Sequence, residues 1–279
     1  MDFGCFYFPT DYGMDPVELA RAMEARGLES LFLCEHTHIP VSRRTPFPAG
    51  GDLPKRYVHT HDPLVALSFI AAATENLKLG TGICLLAQRD PIVTAKAIAS
   101  LDRMSNGRFI FGIGGGWNVE EMESHGVAYK TRFKQMEEHV LAMKALWCEE
   151  EASFEGEFVR FESSWSYPKP LQSPHPAILL GGETDHTLRR VVRFCDGWFP
   201  RASHGFSPAD GMARLQRIAD QEGRARDSLQ VTVFRAPPEA ASVAEMREAG
   251  VNRLLFELPD AGRDEIMAAL DRFSALAAA

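Results

Sequence analysis

His36 follows Glu35 at the end of the apolar run Ser30-Leu-Phe-Leu-Cys34, and it is the side chain best placed to move a proton. An imidazole exchanges protons near neutral pH, so at a strand end it can serve as a general acid or base, or stabilise a developing oxyanion. Glu35 could orient it. Adjacent strand residues point to opposite faces, however, which would turn Glu35 into the surrounding layer instead. A second feature is Phe109-Ile-Phe-Gly-Ile113 running into Gly114-Gly115-Gly116-Trp117. Glycines at a strand end let the backbone approach a flat or anionic ligand closely, although a plain tight turn would also use them. A dinucleotide fingerprint beginning at Gly112 would need its third glycine at position 117, where Trp117 stands, and no Gly-Lys-Ser/Thr phosphate loop occurs. The pairs His36-Thr-His38 and His59-Thr-His61 have the spacing of metal ligands.

These residues need a scaffold that gathers strand ends. Asp15-Pro16, Asp62-Pro63, Asp90-Pro91 and Ser207-Pro208 each place a capping side chain before a proline, a local signal for a helix start. Asn106-Gly107 stops the helix that Asp90 opens. Short apolar runs alternate with these helices: Phe3–Phe8, Ser30–Cys34, Leu79–Leu86, Phe109–Ile113, Ala177–Leu180, Gly197–Pro200, Leu229–Phe234 and Arg253–Glu257. Ser242 with Glu245 reads as a capping box, and Glu265–Leu276 as the last helix. Phe133, Met136, Val140, Met143 and Trp147 recur at spacings of three and four and read as a core stripe. Eight strands, each followed by a helix, predict an α/β fold of the (β/α)8 TIM-barrel kind. Residues 1–279 read as one domain, with insertions after strands 2 and 4 at about 37–61 and 150–172. The second insertion contains a hairpin around Gly156.

Composition sets further bounds. A net charge of −8, without a basic run, argues against nucleic acid or an anionic membrane as a partner. The five cysteines are scattered and form no Cys-x-x-Cys pair, which disfavours a disulfide framework or zinc ribbon. With no signal sequence and no apolar run of membrane-spanning length, a cytoplasmic protein is expected.

In chain order, Cys34-Glu35-His36, Leu79-Gly-Thr-Gly-Ile83, Arg89-Asp90-Pro91, Leu101-Asp-Arg-Met-Ser-Asn-Gly-Arg108, Gly112-Ile-Gly-Gly-Gly-Trp117, Tyr167-Pro-Lys-Pro170, Leu180-Gly-Gly182 and Asp196-Gly-Trp198 resemble the bacterial luciferase-like monooxygenase family. The resemblance is closest to its branch of coenzyme F420-dependent oxidoreductases and covers most of residues 1–200. It implies an oxidoreductase that transfers hydride between reduced coenzyme F420 and a small organic substrate. FMN is the alternative cofactor, in a two-component monooxygenase that uses oxygen. A separate reductase or dehydrogenase would supply the reduced cofactor, and a homodimer is expected. The ring would lie in the barrel mouth against Phe6, Gly82, Ile83, Gly114, Gly115 and Trp117, with a bulge or non-prolyl cis bond at Gly82-Ile83. Gly181, Gly182 and Thr184 match the turn that holds the cofactor phosphate at a helix N-terminus. The chain departs from relatives there, because Glu183 and Asp185 would repel a phosphate unless they point away. His36 and Glu35 are the catalytic candidates, and Arg201 and His204 the cationic candidates on the substrate side. Sugar-phosphate-oxidising relatives carry a glutamate at the position of Trp117, so its absence argues against that chemistry. No metal is expected. A metal-dependent barrel hydrolase built on the His-x-His pairs and a non-catalytic flavin-binding barrel remain open as other readings.

Overall fold

The computed structural model describes residues 1–202 and 205–279. Asp15, Asp62 and Asp90 each accept hydrogen bonds from amides of the helix they open, at 2.8–3.0 Å. Those helices are α1 (Pro16–Glu24), α3 (Pro63–Ala73) and α4 (Pro91–Met104). A short α2 (Arg56–His59) lies within the first insertion. The remaining helices are α5 (Val119–Ser124), α6 (Arg132–Cys148), α7 (Asp185–Phe194), α8 (Pro208–Gln221), α9 (Ala240–Glu248) and α10 (Arg263–Ala278). Ser207 caps α8 as its position before Pro208 implies.

The strands β1 (Asp2–Tyr7), β2 (Ser30–Leu33), β3 (Lys78–Thr81) and β4 (Phe109–Ile113) precede a separate antiparallel hairpin of β5 (Ala152–Glu155) and β6 (Arg160–Ser164). Then come β7 (Ile178–Gly181), β8 (Gly197–Phe199), β9 (Gln230–Phe234) and β10 (Arg253–Glu257). All strands but the hairpin form one closed parallel barrel, in the order β1-β10-β9-β8-β7-β4-β3-β2. Phe3 stands opposite Leu254 where the barrel closes. This is the (β/α)8 architecture expected from the alternation of runs, and it brings all the strand ends named above to one face.

Two expectations needed correction. The run 79–86 is not one strand, because β3 stops at Thr81 and the next peptide, Gly82–Ile83, is cis. Cys84 rejoins the ladder by a single bridge to Ile113, and the Leu85 amide then donates to Glu35 Oε2 at 2.7 Å. Ser242 is not a cap. Ala240 and Ala241, strong helix formers, start α9 three residues earlier, with Glu239 at the cap position after Pro237-Pro238.

Large and small residues alternate across the barrel interior. Phe6, Phe32, Phe199 and Leu255 fill it from four strands, and Gly80 on β3 yields the space that the Phe32 ring occupies: a Cβ at position 80 would lie 2.4 Å from that ring. This aromatic layer forms a floor beneath the barrel mouth. The larger core lies between barrel and helices, and it buries Met136, Val140, Met143 and Trp147 of the α6 stripe. No helix among the described residues is long and apolar enough to cross a membrane.

At the opposite end of the barrel, buried Arg253 grips Glu29 through two bonds of 2.8 Å. Burial raises the Glu29 carboxyl, but the Arg253 guanidinium outweighs it and brings the group from 4.5 down to about 2. A carboxyl depressed in the folded state contributes its full stability above its unfolded value, and loses it as pH falls toward the folded one. Urea midpoints should therefore fall between pH 4.5 and about 2 more steeply for the wild type than for Glu29→Gln. Equal slopes would show that this pair does not govern acid stability.

Candidate functional site

The barrel mouth contains a cavity of about 370 Å³. Phe6, Gly82, Ile83, Gly114, Gly115, Trp117, Gly181, Gly182, His36 and Arg201 all line it, as do Glu35 and Glu183. The side chain of Ile83 occupies the space over Gly114, where a Cβ would come within 2.1 Å of it. The wall on this side is therefore apolar and has little relief, as a flat ring requires.

His36 is held from one side. Its Nδ1 lies 2.8 Å from Glu121 Oε2, and the Thr37 amide donates to Glu121 Oε1 at 3.0 Å. Glu121 is fully buried in the first turn of α5, where Asn118 caps the helix by accepting from the Glu121 amide. A carboxylate on Nδ1 favours the tautomer with its hydrogen there, which leaves Nε2 as the acceptor; among the described residues Nε2 has no protein partner. Its ring packs against Tyr57 (5.3 Å) and edge-on to Trp117 (5.8 Å). Tyr57 of α2 also meets Phe8 and Phe47, so the first insertion folds an aromatic cover over the imidazole. Burial pushes the Tyr57 hydroxyl up, which keeps it protonated at neutral pH.

The neighbouring Glu120 fastens that cover. It accepts from the Thr45 amide at 2.8 Å and from the Thr45 hydroxyl, while Arg44 bonds Glu123 at 2.6 Å. Consecutive carboxylates of one short helix thus hold the imidazole and the loop above it.

Glu35 does not orient His36. Its Oε1 accepts from Arg89 Nε at 2.6 Å and its Oε2 from the Leu85 amide, with Asp62 completing the arginine's partners. Two residues past the end of β2, it turns to Arg89 and anchors the chain after the cis peptide from the edge of the cavity. The His-x-His pairs also separate: His38 Nδ1 faces the Thr37 hydroxyl, and His59 Nδ1 lies 2.9 Å from Asp11.

The turn after β7 carries Gly182 at φ +125°, a backbone region open to glycine. Thr184 is the N-cap of α7, and its hydroxyl accepts from the Thr187 amide at 3.2 Å, so that oxygen is occupied and Thr184 lies outside the cavity wall. Of the two acidic residues expected to repel an anion, Asp185 lies outside the cavity wall and Glu183 is part of it. Arg214 binds Asp185 at 2.7 Å and holds its carboxyl below the usual range, and Glu183 Oε1 accepts from the Arg201 amide at 3.1 Å. The Arg201 guanidinium lines the cavity; its Nε is buried without a hydrogen-bond partner, and it forms no ion pair among the described residues. Arg235 also lines the cavity but is paired with Glu257 at 2.7 Å. His204 lies outside the described residues. Cys34, also in the wall, is pushed up by burial and stays a thiol.

Glu121, Tyr57, Arg235 and Phe133 were not singled out from sequence as site residues. Phe133 belonged to the α6 core stripe, but at the first turn of that helix its ring reaches past the barrel edge and into the cavity wall, where it abuts Gly115. A capping Asn118 three residues before Glu121, directly after the glycine run, was the one local sign of the latter.

A family model described as luciferase-like monooxygenase matches residues 11–272. An uncharacterized protein of Mycobacterium tuberculosis is 37% identical over 281 residues, covering 99% of this chain and 98% of its own. Among solved structures, monooxygenase RslO1 from Streptomyces bottropensis superposes with a TM-score of 0.82 at 19% identity, covering 99% of this chain and 98% of that one. The coenzyme F420-dependent tetrahydromethanopterin reductase from Methanopyrus kandleri gives 0.74 at 18% identity, covering 98% and 97%. At these identities the two structures establish the shared barrel. The chain belongs to the luciferase-like monooxygenase family, whose members are oxidoreductases.

Proposed function

We propose that this protein transfers hydride between reduced coenzyme F420 and a small organic substrate in the barrel-mouth cavity, with His36 as the acid-base group. The observation that carries this reading is the imidazole fixed through Nδ1 by buried Glu121, beside a flat apolar wall of Ile83, Gly114 and Gly115. A deazaflavin ring supplies hydride when bound and is nearly inert to oxygen. His36 Nε2 would give a proton to the substrate oxygen in one direction and take it in the other. The Tyr57, Phe47 and Trp117 cover would exclude water from that exchange. The ring and substrate share about 370 Å³, which restricts the substrate to a small molecule.

The cofactor phosphate fits the start of α7, where Gly182 precedes the helix and Arg201 offers a guanidinium with no ion pair among the described residues. Because φ at Gly182 is strained for any side chain, Arg201→Met is the sounder probe of this assignment. It should weaken cofactor binding about tenfold, roughly 1.4 kcal/mol, with the fold intact. Unchanged affinity would remove Arg201 from the phosphate site.

A homodimer is part of the same reading. Val65 and Phe69 on α3 and Val93 and Met104 on α4 are more than half exposed and form an apolar face. The cofactor is tested by titrating both candidates. Reduced coenzyme F420 should bind more tightly than reduced FMN, and substrate turnover should consume no oxygen. Submicromolar binding of reduced FMN together with substrate-dependent oxygen uptake would make the enzyme a two-component monooxygenase, supplied by a separate reductase.

A further inference from the structure

Phe133 forms part of the cavity wall, and two cations flank its ring. The guanidinium carbons of Arg132 and Arg190 each lie 4.4 Å from its centroid. They are therefore no more than about 9 Å from each other, a separation comparable with the screening length in physiological salt. Cation-π attraction to the ring does not remove their mutual repulsion. Acidic residues nearby are committed elsewhere: Glu137 bonds Arg193 at 2.6 Å, Glu138 accepts from the Phe158 amide at 2.7 Å, and Asp185 holds Arg214. Neither Arg132 nor Arg190 has a carboxylate within ion-pair distance among the described residues. Arg132 donates to the Tyr129 carbonyl at 2.7 Å, yet its Nε is buried without a partner. Burial pushes the Arg132 guanidinium below its ordinary value against the opposing pull of Tyr129, with the Arg190 charge adding to the drop, and burial outweighs Glu137 to do the same for Arg190.

The helix that carries Arg132 adds to this imbalance. No side chain caps the start of α6, and its first turn holds no acidic residue, so Arg132 places its charge on the positive end of the helix dipole. A repelled pair of cations, an orphaned buried donor and an uncapped helix start all favour the same occupant, an anion.

We propose that Arg132 and Arg190 form a second anion subsite beside the cavity, taking a phosphate or carboxylate of the cofactor tail where it leaves the barrel past Phe133. This rests on the cofactor reading above and is separate from the phosphate position at the start of α7. It supplies the cationic track that a polyanionic deazaflavin tail needs on a protein of net charge −8.

The test uses Arg132→Gln and Arg190→Gln in the full chain. Inorganic phosphate should raise the melting temperature of the wild type above that in chloride of equal ionic strength, and each variant should lose at least half of that rise. In equilibrium titrations, coenzyme F420 should bind the wild type at least about tenfold more tightly than the same deazaflavin lacking phosphate and tail. The variants should reduce that advantage severalfold and leave binding of the tail-free ring unchanged. A phosphate effect and a tail advantage that persist in both variants overturn the proposal. Loss of the phosphate effect with the tail advantage intact also overturns it, because the site would then take free anions only. If neither ring form binds the wild type while the variants lose the phosphate effect, the cofactor reading fails and takes the tail assignment with it, leaving a site for free anions.

Discussion

Replacing His36 with alanine is expected to lower turnover by on the order of 100-fold, the ordinary contribution of a positioned acid-base group. Cofactor affinity should stay within a few-fold, because the ring wall of Ile83, Gly114 and Gly115 and the cation at Arg201 are untouched. Single-turnover kinetics with bound cofactor separate the two effects. If cofactor binding collapses while turnover per bound enzyme stays normal, His36 is a binding residue and its assignment as proton carrier is wrong.

The second large effect belongs to Glu121. An amide in its place can donate to His36 Nδ1, which would favour the opposite tautomer and leave Nε2 carrying a hydrogen where an acceptor is needed. Glu121→Gln should therefore lower turnover at least about tenfold in the direction that requires proton abstraction, and shift its pH profile, with little change in KM. The variant also weakens the acceptor for the Thr37 amide, so its melting temperature must be measured alongside. A lower KM-normalised rate with an unmoved pH profile would indicate that Glu121 only supports the fold.

The barrel was legible because its signals are local. Asp-Pro pairs start helices through bonds spanning two or three residues, and each short apolar run contains a strand of the barrel. The resemblance implied the irregular peptide at Gly82-Ile83, which is cis, but the bond from the Leu85 amide to Glu35, fifty residues earlier in the chain, was not legible. The same limit hid the partner of His36, which is 85 residues away on a helix of six. Periodicity identified the inward face of α6, but it does not report depth, so Phe133 was grouped with the buried residues Met136 and Val140 although it faces the cavity. Asp185 looked hostile to an anion because sequence shows its charge but not the Arg214 guanidinium that engages it, whereas Glu183 does keep its carboxylate in the cavity wall.

The central claim, that the barrel-mouth cavity is a ring site served by His36, is tested most directly by a crystal structure with oxidised coenzyme F420 or FMN bound. The account predicts ring density in the cavity against Ile83, Gly114 and Gly115, with His36 still bonded to Glu121 and its Nε2 facing the ring's reacting edge. Ring density outside this cavity, or a His36 side chain turned away from it, would contradict the account.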